Sequence, residues 1–272
     1  MNPPDSDRAF AGTIPQLYER YMVPLIFEPY AADLARRVSL LQPKRVLEIA
    51  AGTGVVTRQL AQALSPAVSI VASDLNQPML DHAAAVGTSR PVEWRQADAM
   101  RLPFPDETFD VVVCQFGAMF FPDKSKAFCE ARRVLRDGGV FVFNVWDRID
   151  RNEFADTVTQ ALETLFPSDP PRFMARVPHG YHDAAVIAQD LEGGGFSGPL
   201  QFTTVAARSR ADSPRIPAVA YCEGTPLRSE IEARDSSRLD EATGIATAAI
   251  ARRFGAGAVD GQIQAHVVTI ER

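Results

Sequence analysis

The chain has 272 residues, 46% of them apolar and 23% charged, and its 28 basic against 34 acidic groups leave a formal charge of −6. A chain of this length and apolar fraction can bury a core without disulfides or metals, which excludes a disordered or fibrous protein. The acidic balance and the lack of a basic stripe argue against a nucleic-acid partner, and no stretch reaches the ~18 consecutive apolar residues of a membrane span. Residues 1–8 place no apolar run behind a basic start, so no secretory signal is visible and a cytoplasmic location is expected. Cys114, Cys129 and Cys222 have no CxxC spacing and predict neither a zinc site nor a disulfide framework.

In chain order, residues 18–41 read as a helix with an aromatic face of Tyr21, Phe27 and Tyr30. Short runs rich in β-branched and aromatic residues follow at 45–49, 68–72, 92–95, 109–114 and 140–145, alternating with amphipathic stretches. That is the pattern of βαβ units around a parallel sheet. Asn76 with Pro78 opens the helix after the second strand. Residues 123–136 form a helix through Ala127, Phe128, Ala131, Val134 and Leu135, with Gly138-Gly139 as its stop. Beyond Asp147 come a helix at 151–166, a proline-rich loop at 167–178 and a helix at 183–191 closed by Gly193-Gly194-Gly195. Two further strands, 200–207 and 263–270, flank a largely helical segment at 217–254.

The first strand runs through Glu48-Ile49-Ala50-Ala51-Gly52-Thr53-Gly54 into a helical pattern. A small-residue turn at a helix N-terminus lets backbone approach a ligand closely, although an isolated GxG more often ends a strand for steric reasons. Position strengthens the reading. Asp74 closes the second strand 26 residues after Glu48, and Asp98 follows the third, 24 residues after Asp74. In an open α/β sheet such strand ends line the ligand crevice, and a carboxylate there can accept both hydroxyls of a ribose. The plainer role for Asp74 is a helix N-cap, for which Asn76 is also available. A dinucleotide fingerprint would put Thr57 where a third small residue is needed, and a diphosphate is disfavoured beside Glu48. A nicotinamide-dependent oxidoreductase is therefore the weaker alternative.

These stretches resemble a known family, the class I S-adenosylmethionine-dependent methyltransferases, in the small-molecule branch of the ubiquinone and menaquinone C-methylases. The resemblance is carried by Val46-Leu-Glu-Ile-Ala-Ala-Gly-Thr-Gly, Ser73-Asp74-Leu-Asn-Gln-Pro-Met79, the run from Gln96 through Asp98 to Asp110, and Val134-Leu-Arg-Asp-Gly-Gly-Val-Phe. It implies a Rossmann-like α/β fold, a seven-stranded sheet of order 3-2-1-4-5-7-6 with the last strand antiparallel, helices on both faces and a helical cap. It divides the chain into a helical lid at 1–42 and a methyltransferase domain at 43–272, with insertions at about 148–182 and 211–260. It implies S-adenosylmethionine as cofactor, with the turn of Glu48, Ala50, Ala51, Gly52 and Gly54 on the methionine end and Asp74 on the ribose. Leu75 and Met79 would flank the adenine, Asp98 and the Ala99 backbone would read its amino group, and Gln115 would lie near the sulfonium. One departure is Ala50, which stands where the family pattern has its first glycine.

Methyl transfer from a sulfonium asks the protein for orientation, desolvation and, where the nucleophile bears a proton, a base. The candidate bases are His179 and His182, whose plainer reading is a polar loop, and Asp147 at the end of the fifth strand. Asp183 reads as a helix N-cap. No histidine has a carboxylate cluster at metal-ligand spacing, so no metal is expected. Tyr18, Tyr21, Tyr30, Phe116, Phe120 and Trp146 suit a small apolar or aromatic acceptor, with core packing as the competing role. The motif Asn/Asp-Pro-Pro-Tyr/Phe of amino-methylating nucleic-acid enzymes is replaced by Gln115-Phe116-Gly117-Ala118, and Asn2-Pro3-Pro4-Asp5 lies at the wrong end of the chain. A module that binds the cofactor without turnover remains the other alternative. Acceptor identity and oligomeric state are not legible.

Overall fold

A computed structural model describes residues 14–272; the start of the expected 1–42 lid and the Asn2-Pro3-Pro4-Asp5 stretch lie outside the described residues. Seven strands, β1 (Arg45–Ile49), β2 (Ser69–Asp74), β3 (Glu93–Gln96), β4 (Phe109–Gln115), β5 (Leu135–Trp146), β6 (Gln201–Ala211) and β7 (Val259–Glu271), form one sheet in the order β3-β2-β1-β4-β5-β7-β6. The first five pair in parallel. β4 is buried along its whole length and β1 all but its first residue, which is why both read as unbroken apolar runs. β7 is antiparallel to β5: Asp147 N donates to Gln264 O at 3.0 Å, while Arg272 N donates to Gly139 O at 2.8 Å, so advancing along one strand retreats along the other. From β1 the chain first moves outward through β2 and β3, then returns to β4 on the other side. The carboxyl ends of β1 and β4 are thus the switch point where an open α/β sheet leaves its crevice.

The chain divides into two compact units. One comprises Glu28–Val145, Tyr181–Val205 and His266–Arg272. Within it the helix Lys124–Val134 is started by Asp123, whose carboxylate accepts from Lys126 N at 2.9 Å, and lays Phe128 on Phe141 and Phe143. The other unit takes the chain up to Phe27 with Trp146–Gly180 and Ala206–Ala265. There the helices Glu153–Leu165, Arg215–Glu223 and Leu239–Phe254 pack on one another, with Phe154 edge-on to Phe254 at 4.9 Å. No helix among the described residues is long and apolar enough to cross a membrane.

The structure departs from the sequence reading in several elements. Gly138-Gly139 do not stop the helix, which ends at Val134; β5 begins at once, and the glycines lie inside it, Gly138 at φ +70°. The register jumps from Phe109 opposite Leu135 to Val111 opposite Val140, leaving residues 136–139 bulged against Asp110. Asp110 fixes that corner by accepting from Lys44 N and Arg45 N on one oxygen and pairing with Arg136 at 2.7 Å on the other. Residues 18–41 are helical, but Tyr18–Phe27 is widened into π turns around Pro24, which lacks the N–H of a regular ladder, before the α-helix Glu28–Leu40. The 217–254 segment breaks into Arg215–Glu223, Leu227–Arg234 and Leu239–Phe254, and the 167–178 loop contains a turn of helix, Phe173–Arg176.

Candidate cofactor site

Glu48 is the fourth residue of β1 and is buried. Its Oε2 accepts from Thr57 Oγ1 at 2.5 Å, across the turn, at the start of the helix Val55–Ala63. Burial pushes its pKa up to about 8; the Thr57 bond and the Arg58 charge oppose that, and Asp74 adds to it. Arg58 donates to Thr53 O at 2.7 Å and ties the helix back to the turn. Gly54 must be glycine: it holds φ +83°, and a Cβ there would stand 2.9 Å from the Trp94 ring and 3.1 Å from Ala83 Cβ.

Asp74, the last residue of β2, reaches the same turn. Its Oδ2 accepts from Gly52 N and its Oδ1 from Asn76 N, each at 2.8 Å. Burial raises its pKa, against the pull of these backbone donors. Asn76 does sit at the N-cap of Gln77–Val86, yet its side chain makes no cap bond and leans instead towards Asp74 Oδ1 at 3.4 Å. Asp98 lies two residues past β3, where Oδ1 accepts from Met100 N at 2.9 Å, and Ala99 beside it is buried. Leu75 is 42% exposed although apolar, whereas Met79 is buried. Gln115 ends β4 as a buried residue, followed by Phe116 at φ +50°.

The structure therefore gathers Glu48, Ala50, Ala51, Gly52, Gly54 and Asp74 around one turn. Two further residues belong there that sequence reasoning did not single out. Trp94 of β3 packs on Gly54 in the turn after β1, a contact that no local signal announces. Thr53 is buried with no hydrogen-bond partner for Oγ1 among the described residues. A buried hydroxyl left unmet and an exposed Leu75 next to Asp74 fit a ligand with one polar and one flat apolar end. S-adenosylmethionine has that form.

The other candidates separate by unit. In the first, Tyr30 is fully buried, edge-on to Phe116 at 5.3 Å, and its hydroxyl donates to Val205 O at 3.2 Å. Phe120 is half-buried, as is His182. In the second, Tyr18 stacks on Phe27 at 5.0 Å, Phe27 lies 6.1 Å from Trp146, and Trp146 lies 6.0 Å from His179; Tyr21 carries Arg20 over its ring. His179 Nδ1 donates to Asp147 O at 2.8 Å, which fixes the neutral ring as the tautomer whose basic atom is Nε2. Asp147 gives both carboxylate oxygens to neighbours: Oδ1 to Arg148 N at 2.7 Å, Oδ2 to Gln264 Nε2 at 2.6 Å. Asp183 is the N-cap of Ala184–Gly193, accepting from Ala185 N at 2.8 Å.

Residues 47–143 match a family model described as a methyltransferase domain. A ubiquinone/menaquinone biosynthesis C-methyltransferase of Stutzerimonas stutzeri is 31% identical over 165 residues, covering 56% of this chain and 64% of that protein. Relatives of the same description from other bacteria match over 39–40% of their own length, so the chain aligns with less than two thirds of these curated relatives. Among solved structures, the YcgJ protein of Bacillus subtilis superposes with a TM-score of 0.54 at 19% identity, covering 90% of this chain and 99% of that one. The phosphoethanolamine N-methyltransferase 2 of Haemonchus contortus, in complex with phosphomonomethylethanolamine and S-adenosylhomocysteine, superposes with a TM-score of 0.58 at 18% identity, covering 98% of this chain and 60% of that one. At these identities the superpositions establish the fold alone.

Proposed function

We propose, from the match of residues 47–143 to a methyltransferase domain model, that this chain is a class I S-adenosylmethionine-dependent methyltransferase and transfers the methyl group to a small apolar or aromatic molecule. The observation that carries the reading is Asp74, which ends β2 and accepts from Gly52 N and Asn76 N, joined to a turn in which Thr53 Oγ1 has no partner among the described residues. When bound, the cofactor supplies an activated methyl electrophile. The chain supplies the rest. Asp74 keeps lone pairs for the ribose hydroxyls, Leu75 and Met79 offer apolar sides to the adenine, and Asp98 and the Ala99 backbone read its amino group. The Glu48–Gly54 turn takes the methionine end, and Gln115 lies towards the sulfonium.

The relatives are C-methyltransferases of quinone biosynthesis, and an electron-rich ring is the acceptor we extend to this chain. Phe116 and Phe120, which follow Gln115 in the unit that holds the glycine turn, support an apolar acceptor. Where the acceptor must lose a proton, His179, His182 and Asp147 are the candidate bases. Calorimetry should find saturable binding of S-adenosylmethionine and S-adenosylhomocysteine and none of NAD. Labelled methyl transfer should then appear with quinols or phenols in a screen that also contains amines and fatty acids. Binding of NAD without binding of the sulfonium rejects the reading, and sulfonium binding without transfer to any acceptor favours a binding module.

A further inference from the structure

Ala50 carries a left-handed backbone, φ +53°, with a methyl group that glycine would lack. That methyl points at Gly117. A Cβ on Gly117 would stand 2.4 Å from Ala50 Cβ and 2.8 Å from Cys114 Sγ, closer than real carbon atoms approach. Nor is the backbone at 117 free to withdraw. The preceding residue, Phe116, holds φ +50° with its N–H shared between Asn144 Oδ1 at 2.9 Å and Asn144 O at 3.2 Å, and Asn144 is fully buried. Gly117 O in turn accepts from Phe120 N at 2.9 Å. On the other side, Ala51 N donates to Ser73 O at 2.9 Å, so the turn is anchored to β2 as firmly as the loop is anchored to β5.

We infer that Ala50 and Gly117 are a coupled positioning pair: the methyl at 50 and the missing methyl at 117 set the spacing between the glycine turn and the Gln115–Gly117 loop. The inference rests on the proposed cofactor site, because these are the two segments assigned to its methionine end and its sulfonium. The methyl at 50 is the nearer of the two groups a Cβ at 117 would meet, the other being Cys114 Sγ, so positions 50 and 117 are read as one volume shared across the switch point.

The test is a cycle of the full-length wild type, Ala50→Gly, Gly117→Ala and the double variant. Each is titrated with S-adenosylhomocysteine by calorimetry and unfolded in urea without ligand. Gly117→Ala should weaken binding by roughly tenfold or more, the ordinary scale of an overpacked contact. The loss caused by Gly117→Ala should be at least severalfold smaller in the Ala50→Gly background than in the wild type, because the Cys114 contact is common to both backgrounds and only the Ala50 contact differs. If Gly117→Ala does not accumulate folded protein, a folded double variant that binds supports the pair, and failure of both overturns it. Losses that multiply to within about twofold also overturn it, as does a Gly117→Ala variant that binds like wild type. A shift in urea midpoint with unchanged affinity makes the contact structural and rejects its positioning role. A wild type that binds no S-adenosylhomocysteine fails the proposed function itself, and the positioning role falls with it.

Discussion

The turn after β1 and the network after β5 are both made of buried polar groups at the carboxyl end of a strand, and they differ in whether their hydrogen bonds close. Around Asp147 they do: Asn152 Nδ2 donates towards Asp147 O, Arg148 O and Gln264 O, each at 3.2 Å, its Oδ1 accepts from Gln264 N at 3.1 Å, and both Asp147 oxygens are taken. In the turn, Thr53 Oγ1 has no partner among the described residues and Glu48 is held largely as the neutral acid at pH 7. Burial alone does not distinguish a ligand site from a brace. What distinguishes them is the unfinished bond, since a buried polar group without a partner costs about 1–3 kcal/mol unless something arrives to meet it.

The comparison breaks most visibly if Asn152→Ala touches binding. Removing that side chain strips a buried network and should lower unfolding stability by about 2–4 kcal/mol while leaving S-adenosylhomocysteine affinity unchanged, measured by urea unfolding and calorimetry. Asp74→Ala should act on binding, weakening the same ligand by ~10- to 150-fold through loss of a charge-assisted bond worth about 1.5–3 kcal/mol. An unchanged dissociation constant would reject its role. Glu48→Gln sharpens the contrast through pH. The folded pKa of about 8 lies above the ordinary 4.5, so the native state binds more protons between those values and stability falls as pH rises across them. The glutamine variant should lack that slope and outlast the wild type in urea at the upper end of the window. The smallest effect is hydrogen exchange with the cofactor product: protection should rise in the glycine turn, and unchanged protection there would reject the turn as the cofactor's seat.

The sheet was legible because a strand buried on both faces leaves an apolar run, and β1 matches its expected bounds residue for residue. The turn was legible because its small residues and the acids at Glu48 and Asp74 are local in sequence. Gly138-Gly139 misled because a glycine pair after a helical pattern resembles a helix stop, whereas here it bends a strand against Asp110. Asn76 was rightly placed at a helix start, but the competition between a cap bond and Asp74 is settled by the neighbouring strand. Trp94 on Gly54 and the shared volume of Ala50 and Gly117 are contacts between residues 40 and 67 positions apart, and spacing along one chain carries no signal for them. His179 and Asp147 stand together, but through a backbone carbonyl and not a carboxylate, a detail only geometry decides.

The proton on Glu48 also leaves a calorimetric trace. Under the proposed function, a cationic ammonium group entering the turn favours the ionised carboxylate and lowers its pKa, so binding at neutral pH expels part of a proton into solution. The buffer then absorbs it. Apparent binding enthalpies should therefore differ between phosphate and Tris in proportion to their heats of ionisation, and converge when Glu48 is glutamine. The slope of that plot counts the protons displaced, which makes a single buried acid readable as a stoichiometry.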